Sequence, residues 1–230
     1  VFLISVLLGL AMGSGTVFSL HYGAGNHVAL RRSIFSSFAL IGIVTLILNV
    51  VVFIWLDPIL RLLQVPQDIY GMMRSYLWII FCGIVFTFIY NFYASLLRAV
   101  GDSVTPLWFL AVSVVLNIAL DLFFILQLDW GIQGAAAATV LAQGVAALGI
   151  IIYTYRRRPE LRWHHEDMCF DRTCLKEIAS FSTLTCVQQS VMNLGILMVQ
   201  GLVNSFGTAV MAAFAAAVKI DSFAYMPVQE

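Results

Sequence analysis

The chain has 230 residues, of which 61% are hydrophobic and 10% charged, and its mean hydropathy is +0.95. No soluble domain of this length needs so much apolar sequence, so the composition excludes one and predicts an all-α, polytopic transmembrane helix bundle. Net charge is zero, which gives no sign of a nucleic-acid partner; the lipid bilayer is the partner that composition implies.

The chain opens inside an apolar run, Val1–Leu20, of the roughly 20 residues that a helix needs to cross a bilayer. Gly9 and Gly13 stand in it at GxxxG spacing, which favours close helix packing. HYGAGNHVALRRS follows as a polar, Gly-rich loop with Arg31 and Arg32, and Phe35–Leu56 spans again. Asp57–Arg74 is mixed, with Pro58 and Pro66; its apolar residues Ile59, Leu60, Leu62 and Leu63 predict a short amphipathic helix at the interface. Tyr76–Leu97 spans, LRAVGDSVTP is a tight loop, and Leu107–Leu128 and Ile132–Tyr155 form a central pair of spans. Between Arg156 and Glu177 runs a charged linker that holds 11 of the 24 charged residues. Ile178–Phe206 is a further span, and another begins at Ala209. With neither an initiator methionine nor a signal peptide, and with apolar runs at both ends, the sequence is expected to be a piece of a longer protein.

Sidedness follows from basic residues. If the spans alternate, loops 21–34, 98–106 and 156–177 share one face and hold nine Lys/Arg, whereas the opposite loops hold only Arg61 and Arg74. That bias places the first set in the cytoplasm.

Polar residues inside the spans recur at steps of four, which puts them on single helical faces. Ser113, Asn117 and Asp121 form one such face; Thr87, Asn91 and Ser95 form another. Thr139 and Gln143 follow the small-residue run Gly134–Ala138, and Thr185, Gln189 and Asn193 mark the last full span. Ser, Thr and Asn in a membrane can serve simply as interhelical glue. A carboxylate costs more than glue requires, so Asp121 is the candidate functional residue. It can take up a proton, because burial raises a carboxyl pKa, or bind Na+ together with Asn117 and Thr139; H+ or Na+ as coupling ion is the only cofactor expected. Gln143, Gln189 and Asn193 are candidates to line a cavity.

Other chemistry is not indicated. Cys82, Cys169, Cys174 and Cys186 form no disulfide framework. His164, His165, Cys169 and Cys174 match no zinc spacing, and Lys219 and Asp221, two apart, do not share a helical face. A Walker A loop, HExxH and GxSxG are all missing, so neither ATP hydrolysis nor a common hydrolase is expected, and the protein is not read as an enzyme.

Three motifs in order, LLRAVGD (Leu96–Asp102) followed by TP, LNIALDLFFI (Leu116–Ile125) and GIQGAAAATVLAQ (Gly131–Gln143), resemble the multidrug and toxin extrusion (MATE) family, as does YGAGN (Tyr22–Asn26). The resemblance covers essentially the whole chain. It implies twelve helices in two six-helix lobes. Residues 1–155 would be helices two to six of the N-terminal lobe, 156–177 the cytoplasmic inter-lobe linker, and 178–230 the seventh helix and part of the eighth. It also implies ion-coupling roles for Asn117 and Asp121 on the fifth helix, Thr139 on the sixth and Asn91 on the fourth. The family's first-helix aspartate has no counterpart here. CVQQSVMN lacks the seventh-helix glutamate of some members, which is similar to the DinF-like branch.

The resulting expectation is a monomeric antiporter of the inner or plasma membrane, exporting small amphipathic or cationic compounds. A lipid-linked saccharide flippase of the same superfamily and a non-transporting membrane scaffold are the alternatives.

Overall fold

The computed structural model describes residues 2–62, 67–162 and 172–204, with 214, 217 and 218. They form seven α-helices and one 3-10 turn: α1 (Phe2–Gly23), α2 (His27–Leu62), α3 (Gln67–Cys82), α4 (Ile84–Ala99), α5 (Val104–Leu126), α6 (Gly131–Arg157), the 3-10 turn Pro159–Leu161, and α7 (Arg172–Asn204). Four helices are long and apolar enough to cross a membrane, and five when the bent pair α3–α4 counts as one span, among the described residues. The protein is therefore an all-α, multi-pass membrane bundle. α7 has the length but is not in that set; polar residues such as Thr185, Gln188, Gln189 and Asn193 dilute it.

Three boundaries differ from the expectation. The loop predicted to carry Arg31 and Arg32 is only a short turn. Gly25 sits at φ 68, in the left-handed region, and Asn26 Oδ1 accepts the Ala29 N–H at 3.1 Å, a side-chain cap that starts α2 at His27. Arg31 and Arg32 are thus helical. α2 then runs for 36 residues, through Pro58, about 54 Å, well beyond the roughly 30 Å hydrocarbon layer. This continuity also removes the separate interfacial helix expected after Asp57. Arg74 Nε donates to Asp57 Oδ1 at 2.9 Å and the Tyr70 hydroxyl donates to the same oxygen at 3.0 Å, tying the end of α2 to α3. Leu63 and Pro66 lie outside the described residues.

The third difference is a break in the span predicted at Tyr76–Leu97. α3 and α4 meet at Gly83 with a 40° bend. A Cβ on Gly83 would lie 2.4 Å from Val140 Cγ2, so glycine is what lets the bend press onto α6. Asn49 Nδ2 of α2 donates to Phe81 O at 2.8 Å beside it.

α6 packs against α3, α4 and α5. Its buried residues are mostly small, among them Gly134, Ala136, Ala138, Ala142 and Gly144, which allows the approach that the sequence predicts. Phe18, Phe38, Phe88 and Phe92 pack edge-on and tilted into the core between α1, α2 and α4.

α1 and α7 run antiparallel in close register. Cβ atoms on Gly9 and Gly13 would meet Cys186 Cα at 2.9 Å and Ser182 Cα at 2.4 Å. Val17 shares a buried cluster with Ile178, and His21 Nε2 lies 3.6 Å from Glu177 Oε2. From Gly9 to Val17, each step of four along α1 is answered by a step of four back along α7.

The basic turns gather at one end of the bundle, as the charge bias predicts. His21 meets Glu177 there, and Arg158 Nη2 lies 3.7 Å from Asp102 Oδ2. Asp102, whose side chain is 12% exposed, also accepts from the Thr105 N–H (3.2 Å), the Thr105 hydroxyl (3.0 Å) and the Tyr153 hydroxyl (3.3 Å). Burial alone would push this carboxyl up. The hydrogen bonds from Thr105 and Tyr153 and the Arg158 charge outweigh it and hold the pKa below the usual value.

Candidate functional site: a polar cavity between α4, α5 and α6

Polar side chains in a bilayer must meet one another or water. In this bundle the stripes of α4, α5 and α6 converge on one cavity of about 340 Å³, closed on one side by Leu8 of α1. α4 brings Thr87, Tyr90 and Asn91, α5 brings Ser113 and Asn117, and α6 brings Thr139 and Gln143. Leu110, Val114, Ala142 and Ala146 supply apolar wall. The mixture suits an amphipathic guest: mostly apolar surface with a few fixed polar groups.

The polar groups are cross-linked. Asn117 Nδ2 donates to Thr139 Oγ1 at 3.3 Å, joining α5 to α6, and the Thr139 hydroxyl donates to Ala135 O at 2.9 Å. The Thr87 hydroxyl donates to Gln143 Oε1, joining α4 to α6. Asn91 Nδ2 donates to Thr87 O at 2.8 Å. The side-chain oxygens of Asn91, Asn117, Thr139 and Gln143 are hard neutral donors of the kind that alkali cations take. No charged residue is among those lining the cavity.

Asp121 stands apart from this group. It lies one helical turn beyond Asn117 on α5, toward the end opposite the basic turns, and is not part of the cavity lining. Its Oδ1 is buried and makes no hydrogen bond. A carboxylate oxygen left so is a high-energy acceptor for a proton or a cation. Four of the expected site residues, Asn91, Asn117, Thr139 and Gln143, are thus brought together, with Asp121 adjacent to them.

Gln189 and Asn193 are not brought to this cavity. Gln189 Nε2 faces Met12 Sδ of α1 at 3.8 Å, and Asn193 Nδ2 donates to Gln189 O at 2.9 Å. Tyr90 is a lining residue that the stepwise pattern passes over, because it sits between two periodic positions. Its hydroxyl donates to Pro106 O at 2.9 Å, pinning α4 to the first turn of α5. The signal available was chemical: a phenol in an apolar run needs an acceptor. No group of His, Cys, Asp and Glu able to hold a metal ion occurs among the described residues. His164, His165, Cys169, Lys219 and Asp221 lie outside them.

An all-α, multi-pass bundle with a mostly apolar cavity between three of its helices is the architecture of a membrane protein built around a binding space. The chain belongs to the MatE family, whose model matches residues 1–123. It is 31% identical to the "Probable multidrug resistance protein YpnP" of Bacillus subtilis over 97% of this chain and 50% of that protein. It is 32% identical to the "Multidrug export protein MepA" of Staphylococcus saprophyticus over 66% of this chain and 35% of that protein. Among solved structures, a MATE protein in complex with MaL6 superposes with a TM-score of 0.92 at 22% identity, over 99% of this chain and 51% of that one. The bent form of the Vibrio cholerae MATE transporter VcmN superposes at 0.84 with 26% identity, over 96% and 50%. The chain spans about half the length of the relatives matched along most of it.

Proposed function

We propose that the protein is a secondary antiporter that exports small amphipathic, often cationic, compounds in exchange for H+ or Na+. Support comes from the cavity: neutral oxygens and apolar wall share one space, and a buried carboxylate oxygen without a hydrogen bond lies one turn away. In this reading Asp121 takes the coupling ion, assisted by Asn117, Thr139 and Asn91, and the cavity takes the compound. Exchange requires that ion and substrate favour different orientations of the lobes, because a ligand shifts an equilibrium only through its differential affinity for the two states. The basic end of the bundle faces the cytoplasm, by the charge bias, in the inner or plasma membrane, and the transporting unit is a monomer.

Ion-gradient-driven dye efflux in proteoliposomes tests this. Asp121→Asn is expected to abolish gradient-driven export while the protein still inserts and folds. Export that persists in that variant would overturn the role given to Asp121. In a non-transporting scaffold the substitution would be silent and no efflux would be seen from the unaltered protein.

A further inference from the structure

A second opening, of about 210 Å³, lies at the basic end of the bundle, far along α1 from the polar cavity. The end of α1, the α1–α2 turn and the first turns of α2 and α7 form it. Its polar lining is His21, Asn26, Arg32 and Glu177. His21 Nε2 and Arg32 Nε are buried nitrogens that make no hydrogen bond. The approach of His21 to Glu177, 3.6 Å, is too long for one. Cys174, also at the rim, is already engaged at 2.8 Å with the Ser33 hydroxyl. The Arg32 Nε–H lacks an acceptor and His21 Nε2 donates in its Nε2–H tautomer, so the pair suits an anion, and a guanidinium matches a phosphate. Glu177 beside them would repel a ligand that is only anionic. A ligand carrying phosphate and ammonium a few bonds apart satisfies both.

We propose that this opening binds a phosphodiester bearing a primary ammonium, the headgroup of an ethanolamine phospholipid, with the phosphate on Arg32 and His21 and the ammonium on Glu177. The turn lies where a spanning α1 leaves the hydrocarbon layer, at headgroup depth. A quaternary ammonium has no N–H to donate to Glu177, and among the described residues no Phe, Tyr or Trp lines the opening to hold one by its ring face.

Native mass spectrometry of the purified protein with phosphatidylethanolamine, phosphatidylglycerol and phosphatidylcholine tests the assignment without any transport readout. The ethanolamine lipid is expected to be retained about ten-fold better than the choline lipid, and Arg32→Gln to lose both the ethanolamine and glycerol lipids by about ten-fold. Glu177→Gln changes a side chain that is 47% exposed and keeps its shape, so it reads selectivity even if the arginine variant folds poorly. It should erase the preference for ethanolamine over glycerol while glycerol-lipid binding persists. Glycerophosphoethanolamine binding as tightly as the intact lipid would assign the same chemistry to a soluble source, and binding of the intact lipid alone assigns it to the bilayer. Equal retention of all three lipids, or a glutamine variant at 177 with unchanged preference, overturns the proposal.

Discussion

A Cβ on Gly13 would lie 2.4 Å from Ser182 Cα, so α1 and α7 touch backbone to backbone at that pair. Gly13→Ala must therefore push the two helices apart. We expect a loss of about 1–3 kcal/mol, the usual cost of overpacking, read as a lowered melting temperature in detergent. Gly71→Ala is the control: its added methyl meets nothing within 4 Å, and alanine is the better helix former, so stability should hold or rise.

The Thr87–Gln143 hydrogen bond crosses the cavity from α4 to α6. A double-mutant cycle with Thr87→Val and Gln143→Leu should give a coupling of about 0.6 kcal/mol, at most about 1.7, the range found for such bonds in membranes. Additive melting shifts would show that the pair does not act as a unit.

Asn117 is a means of separating the two coupling ions. Asn117→Ala removes a neutral oxygen near Asp121 and leaves the carboxylate. With Na+ as the ion, the half-saturating Na+ concentration for efflux should rise about ten-fold, equivalent to about 1.4 kcal/mol of lost coordination. With H+, efflux should stay independent of Na+ in parent and variant alike.

Asp102 ties the α4–α5 turn to the end of α6 through Thr105, Tyr153 and Arg158. Its pKa is lowered in the folded protein, so its contribution is fully present above the unfolded value, about 4, and is lost as pH falls through the folded one. Asp102→Asn should cost on the order of 1–2 kcal/mol at neutral pH. The gap between variant and parent should close on acidification below about pH 4. A constant gap across that window, measured by melting temperature against pH, would contradict the role given to the carboxylate.

Much of the bundle was legible because each span is long, apolar and bounded by charge, and the basic turns mark one end. The places where the reading failed share a cause. Arg31 and Arg32 read as loop because charge signals water, yet arginine is a good helix former and Asn26 caps the helix ahead of them. Gly83 lies unmarked inside the predicted span Tyr76–Leu97, and only its contact with Val140 makes it a break. The cavity was legible to the same depth. Steps of four group Asn91 with Thr87 and Asn117 with Ser113, all lining the cavity, and equally group Gln189 with Asn193, which do not line it. Spacing says which residues share a face, and not which neighbour that face meets. α7 turns Gln189 toward Met12 of α1, and no one-dimensional pattern carries that choice.

The antiparallel match of α1 with α7 also sets where this chain can change length. One residue inserted between Gly9 and Gly13 would rotate the rest of α1 by about 100° and turn one glycine off its partner, bringing a side chain against Ser182 or Cys186. The same residue inserted between Leu161 and Arg172 leaves every pair in place, because it only lengthens the connection before α7 begins. Insertions and deletions that accumulate among relatives should therefore collect in the inter-helix linker and avoid the glycine-bearing half of α1.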